Sequence, residues 1–176
     1  METSDRILAT ARSSFAQHGF GATSLDALAD QLGVRKQTIL YHFGSKEGLL
    51  YAVIDQAVST FSDALLGAAE RAPAGPPRVR ALAGAVFRLS ADEPELLEVL
   101  REVNRLGPPA STRLTAALAP LVDRASEFVP RRTLLGAYAM VIGMATEVEV
   151  LRSLGVAPDL AALRRRRRQL LDYVGA

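Results

Sequence analysis

The 176-residue chain is 49% hydrophobic with a formal net charge of only +2, which suits one or two domains with a sizeable core, excludes a disordered polymer, and leaves any nucleic-acid role to local placement of charge. It contains no cysteine, so disulfides, thiolate metal sites and a cysteine nucleophile are excluded, and a reducing cytoplasmic setting is expected. No apolar run approaches the ~20 residues that cross a bilayer, and the acidic start "METSDRILATARSSF" lacks the apolar stretch of a secretory signal.

Strand-like alternation is nearly absent and Ala and Leu dominate, which predicts an all-α chain of about nine helices punctuated by Pro and Gly. The first is expected over 5–18, with Ile7, Leu8, Ala11 and Phe15 as its apolar stripe and Gly19 at the C-terminal cap. After "GFGAT", Thr23 or Ser24 can cap a short second helix that turns Leu25, Leu28 and Leu32 inward. Gly33 is a turn residue, and a third helix follows over 35–43. Gly44 ends it, and Ser45 can cap a long fourth helix reaching about residue 70. "RAPAGPP", 71–77, is the clearest linker. Helices are then expected over 78–91, 95–106, 111–128 (with a kink at Pro120), 131–154 and 159–174.

The stretch "VRKQTILYHFGSKEGLL" packs many hydrogen-bonding side chains between two apolar helices. Two short helices joined at Gly33-Val34, about 24–43, have the length and turn of a helix-turn-helix. The second helix of such a unit enters the major groove, and its N-terminal residues reach base edges. Ile39 and Phe43, one turn apart, can hold the helix on its core. Arg35, Lys36, Gln37 and Thr38 fall on the outer, N-terminal part. Lysine suits guanine O6 and N7, glutamine suits adenine, and threonine can meet a phosphate or a thymine methyl. Tyr41 and His42 follow one turn on, and Lys46 opens the next helix, where the helix dipole assists a phosphate contact. The competing reading is a solvated polar helix of an ordinary bundle.

The stretch "FAQHGFGATSLDALADQLGVRKQTILYHFGSKEGLL" resembles the N-terminal domain of the TetR family of bacterial transcriptional regulators. The resemblance rests on Phe15, Gly19, Thr23, Leu28, Ala29, Gly33, Val34, Thr38, His42, Phe43, Ser45, Lys46, Glu47 and Leu49. Leu40 stands where many members carry tyrosine, with Tyr41 one place later, and Gln37 stands where glycine or proline is common. The resemblance implies a homodimer whose two heads, about 1–50, grip a palindromic operator on double-stranded DNA. Thr23, Arg35, Lys36, Gln37, Thr38, Tyr41, His42 and Lys46 would be its DNA-binding residues. Residues 51–176 would bind a small effector and dimerise, usually as a repressor released by its ligand.

The rest of the chain is read from its own pattern. "TLLGAYAMVIGMATEVEVLRSL" leaves almost no polar face, so its helix is buried on more than one side. It reads either as a dimer helix or as the central helix of a monomer. Gly136 and Gly143, a heptad apart, allow close approach, and Leu151, Leu163, Arg167 and Leu170 complete an expected dimer surface. Five consecutive arginines, Arg164 to Arg168, wrap more than a full turn and so form no single patch. Tyr138, Met140 and Met144, with Arg101 or Glu147 as polar groups, suggest a hydrophobic or aromatic effector, although the same residues would make a dry core. Glu95, Glu98 and Glu102 share a face after Pro94. Acids suit a helix's first turn, and Glu98 and Glu102 can pair with Arg101 or Arg105, so no acid–base chemistry is expected. The only histidines are His18 and His42, and neither GxxxxGKS nor HExxH occurs. An enzyme is therefore not expected, nor a cofactor or a metal. A helical interaction module that does not read DNA is the other alternative.

Overall fold

The computed structural model describes residues 2–155 and 160–173; at 90–91, 137, 141–142, 144–149, 151–152 and 160–163 the description is confined to the backbone. Among the described residues there are nine helices and no strand: α1 Thr3–Ala22, α2 Leu25–Leu32, α3 Lys36–Phe43, α4 Lys46–Arg71, α5 Pro76–Asp92, α6 Pro94–Leu106, α7 Ala110–Ala125, α8 Arg131–Ser153 and α9 Leu160–Tyr173.

Each boundary has a local cause. The regular part of α1 stops at Gly19, whose φ of 80° lies where a side chain is strained, although helical turns resume to Ala22. Ser24 starts α2 by accepting a hydrogen bond from the Ala27 N–H at 3.0 Å. Gly33, at φ 66°, ends it, and the Val34 N–H donates to the Ala29 carbonyl at 3.0 Å. Ser45 caps α4 through the Gly48 N–H at 2.9 Å. The linker is shorter than expected because α5 already starts at Pro76, where proline's fixed φ suits the first helical turn. α7 continues through Pro120 but stops at Ala125, three residues early, where a turn closed by Phe128 N–H to the Ala125 carbonyl replaces it.

The chain forms two compact units. The first comprises Met1–Ser59 and Glu95–Ala117, the second Thr60–Pro94 and Leu118–Ala176. In the first, α1, α2 and α3 pack on one another. Ile7, Phe15, Leu28, Ile39, Leu49, Val53, Ile54 and, from α6 and α7, Leu96, Val99, Val103 and Leu114 are fully buried. In the second, α5, α8 and α9 pack on one another. By length and composition α4 would reach across a membrane. Its Leu49, Leu50, Val53, Ile54 and Ala57 are instead buried against protein, as in a core helix.

Two glycines are fixed by what lies against them. A Cβ at Gly48 would overlap the Phe43 carbonyl oxygen, so the first turn of α4 lies on the end of α3 only because this side chain is missing. A Cβ at Gly136 would overlap the Tyr173 hydroxyl and ring, so α8 admits Tyr173 of α9 at that point. Gly21, by contrast, faces open space.

We predict that Gly48→Ala lowers unfolding stability by about 1–3 kcal/mol through overpacking, whereas Gly21→Ala leaves it within about 0.5 kcal/mol. Urea denaturation of the two variants measures both, and equal midpoints would remove the steric role given to Gly48.

Candidate nucleic-acid interface

An eight-residue helix is too short to persist alone. α3 is held by Ile39, which is wholly buried, with Leu40 and Phe43 half-buried beside it. Its start has an extended Arg35 as N-cap, and Gly44, at φ 75°, ends it with its N–H donating to the Leu40 carbonyl. The opposite face carries Arg35, Gln37, Tyr41 and His42, all exposed, with Lys36 and Thr38 half-buried. Tyr41 is 86% exposed, and its ring meets the His42 ring edge-on at 5.3 Å. A tyrosine so exposed can offer both its ring and its hydroxyl to a partner.

The cations differ in their freedom. Lys36 Nζ donates to Asp26 Oδ2 at 2.8 Å, with both side chains substantially exposed. Such a pair contributes about 0–1 kcal/mol, so a phosphate or a base edge can replace it. Arg35 and Gln37 make no side-chain hydrogen bond among the described residues. Lys46 Nζ lies 4.3 Å from the Phe20 ring centroid and 3.5 Å from the Gly21 carbonyl oxygen. That holds it at the junction of α1 and α4. Thr23 is placed differently. It is buried, and its hydroxyl donates toward the Gly19 carbonyl at 3.0 Å and the Ser14 carbonyl at 3.3 Å, so its polarity is used to close the end of α1.

Residues 7–53 match the family described as "Bacterial regulatory proteins, tetR family". That stretch spans α2, α3, most of α1 and the start of α4, so the N-terminal part of the chain is TetR-type. Within it, the HTH-type transcriptional regulator RutR of Escherichia coli (strain K12) is 46% identical over 50 residues, which is 28% of this chain and 24% of RutR. The HTH-type transcriptional repressor ComR of the same organism is 40% identical over 58 residues, 33% of this chain and 28% of ComR. The chain thus spans about a quarter of the length of the curated relatives it matches. Over nearly the whole chain the likeness is one of fold. The fatty acid degradation regulator FadR from Bacillus halodurans superposes with a TM-score of 0.78 at 18% identity, over 95% of this chain and 97% of that one. A putative transcriptional regulator from Saccharomonospora viridis, in complex with choline, gives 0.75 at 18% identity over 98% and 95%.

The TetR-type domain is clasped by a helix far from it in sequence, which the sequence reading did not foresee. Glu102 of α6 accepts a hydrogen bond from the Phe20 N–H at 2.7 Å, and a Cβ at Gly19 would come within 3.1 Å of its Oε1. Glu95 accepts from the Ser13 hydroxyl at 2.8 Å and lies 3.4 Å from Arg12 Nε. The expected helix pairs form as well: Glu98 with Arg101 at 2.9 Å and Glu102 with Arg105 at 2.7 Å. The positive φ at Gly19 turns the Phe20 N–H out of the α1 ladder, and the carboxylate satisfies it. The Arg105 guanidinium, with help from Phe20 N–H and against the effect of burial, holds the Glu102 carboxyl below its ordinary value of 4.5.

The residues expected at the other sites are placed as follows. Leu170 is 2% exposed and belongs to the interior of its own unit, so it is not available to a partner. Gly136 lies against Tyr173 of its own chain. Gly143 and Arg167 are exposed. The side chains of Leu151, Leu163, Met144 and Glu147 lie outside the described residues. Tyr138 and Met140 are half-buried in the second unit, while Arg101 lies in the first and pairs with Glu98.

Glu102→Ala should cost about 1–3 kcal/mol at neutral pH, because it orphans the Phe20 N–H. A carboxyl with a depressed folded pKa stabilises above its unfolded value and loses that contribution as pH falls through the folded one. The wild-type advantage over Glu102→Gln is therefore full at neutral pH and declines only below about 4.5. Denaturation midpoints across acid pH check this, and an advantage already lost at about pH 6, well above the ordinary glutamate range, would exclude it.

Proposed function

We propose that the protein is a DNA-binding transcriptional regulator that works as a homodimer on a palindromic operator and represses until a small ligand releases it. The observation that carries the reading is α3 itself. Ile39 is wholly buried, while Arg35, Gln37, Tyr41 and His42 are presented together to solvent. This is the arrangement a recognition helix needs. The TetR-type domain match supports it, as do relatives named as a regulator and a repressor.

In this reading residues 1–50 are the DNA-binding head and 51–176 the effector and dimer part. Gln37 reads a base edge, and Lys36 exchanges Asp26 for DNA. Lys46, Arg35, Thr38, Tyr41 and His42 place the head on the backbone or on bases. The protein acts in the cytoplasm and is not an enzyme. The dimer surface is the apolar part of α8 and the turn after it that stays in water: Leu135 and Val150 of α8 and Leu154 just past its end are 63%, 51% and 70% exposed, with open space at Gly143. Exposed apolar groups along one helix can serve as an association site. Two heads reading half-sites one helical turn apart must stand about 34 Å from each other, and a ligand that prefers another separation by ~1–3 kcal/mol lowers occupancy several-fold or more.

Two measurements test this. In selection from a randomised duplex pool, Gln37→Ala should relax preference at one position per half-site by about 1–3 kcal/mol. Lys46→Ala should instead weaken all duplexes alike and reduce the salt slope by about 0.9 per phosphate lost. Unselective binding by the parent would count against base reading altogether. Leu154→Glu should convert the dimer to monomers in sedimentation while changing monomer stability by less than about 0.5 kcal/mol. A dimer that persists would place the interface elsewhere.

A further inference from the structure

The second unit contains a cavity of about 150 Å³ bounded by the end of α4, the start of α5, and α7 with the turn that follows it. Leu66, Leu82, Leu121 and Phe128 make most of its wall. None of the residues named from the sequence as effector contacts lines it. A space of this size in an apolar wall takes roughly one benzene ring. Two guanidinium groups stand at its edge, Arg78 and Arg124, against one carboxylate, Glu70.

The two arginines are held differently. Arg78 donates through Nε and Nη2 to the Ala72 carbonyl at 3.3 and 3.2 Å, and its guanidinium lies 5.1 Å from the Phe128 ring centroid. Those contacts orient it while leaving the rest of its N–H donors uncommitted to the described residues. Arg124 lines the cavity with no side-chain hydrogen bond or ion pair among the described residues. Glu70 likewise lacks one, and it has not collapsed onto Arg124. An apolar recess with a net positive rim suits a molecule that is apolar at one end and anionic at the other. A carboxylate matches the planar fork of a guanidinium, whereas an amine would meet two like charges for one opposite.

We infer that this cavity is an effector site for a small amphipathic carboxylate. Its ring or branched alkyl end sits among Leu66, Leu82, Leu121 and Phe128, and its carboxylate is held by Arg124 with Arg78. The inference names the ligand class for the ligand-responsive reading and rests on that reading for its regulatory consequence, since α4 also carries Lys46.

The test uses the full chain, hydrocinnamate as probe, and two isosteres, hydrocinnamyl alcohol and phenylpropylamine. Calorimetric titration should give one saturable site per protomer for the acid, with the alcohol and the amine each about tenfold or more weaker. Arg124→Gln, at an exposed position, should weaken the acid by about tenfold and leave the alcohol unchanged. Leu121→Trp, which fills the cavity, should abolish binding of both. The assignment is overturned if the acid does not bind, if the amine binds as well as the acid, or if either substitution leaves acid affinity at the parent value. A mobility shift on a duplex selected by the parent then separates the two levels. Acid bound with this pattern but with operator affinity unchanged upholds the site and removes ligand gating. Release by an unrelated compound, with no acid binding, removes the site and upholds gating.

Discussion

The structure depends on how one short helix is held. α3 has eight residues and no side-chain cap at its start, so its own hydrogen bonds cannot keep it folded. Ile39 supplies what is missing, since its side chain is completely withdrawn from water where α3 packs on α1 and α2. Burying a side chain of this kind contributes about 1.5–3 kcal/mol, comparable to the whole intrinsic deficit of a helix this short. Gly33 ends α2 and Gly44 ends α3, both with positive φ. The outward residues Arg35, Gln37, Tyr41 and His42 are displayed because the inward one is not free to move.

The second constraint comes from far along the chain. α6 lies in the same compact unit as the head, and two of its acids bond to α1 across 82 residues of sequence. Glu102 meets an N–H that the break at Gly19 leaves out of the helix ladder, and the same short segment supplies the Phe20 ring on which Lys46 rests. A carboxylate on α6, a backbone break in α1 and a cation opening α4 therefore form one continuous set of contacts.

In the second unit, apolar surface is divided between two kinds of use. Leu170, Val129 and Ala85 are buried within the unit, and Tyr173 folds onto α8 where Gly136 leaves room. Leu135, Val150 and Leu154 stay in water, a surface that suits a protein partner. The recess beside Phe128 is concave and rimmed by guanidinium groups, a shape that suits a small anion. The same leucine-rich composition serves core, interface and cavity, and the difference lies in curvature and neighbouring charge.

The helical class, the order of the described helices and most of their ends are legible in the residues alone. Those are set by local chemistry: Ser24 and Ser45 as caps, Gly19, Gly33 and Gly44 as terminators, and the apolar spacing around Ile39. The polar run from Arg35 to Lys46 that marks the TetR-type head is legible there too. Only the tertiary structure decided which polar groups are free. The Thr23 hydroxyl bonds back to α1, Lys36 is held by Asp26, and Gln37 is uncommitted, although all three are polar in sequence. It also decided that Gly136 and Leu170 pack within their own chain, that Glu102 closes the break at Gly19, and that Arg78 and Arg124 come to one cavity. Caps and turns act over three or four residues and leave a readable local pattern. Burial and pairing across 46 or 82 residues depend on how helices pack, and no local spacing encodes that packing.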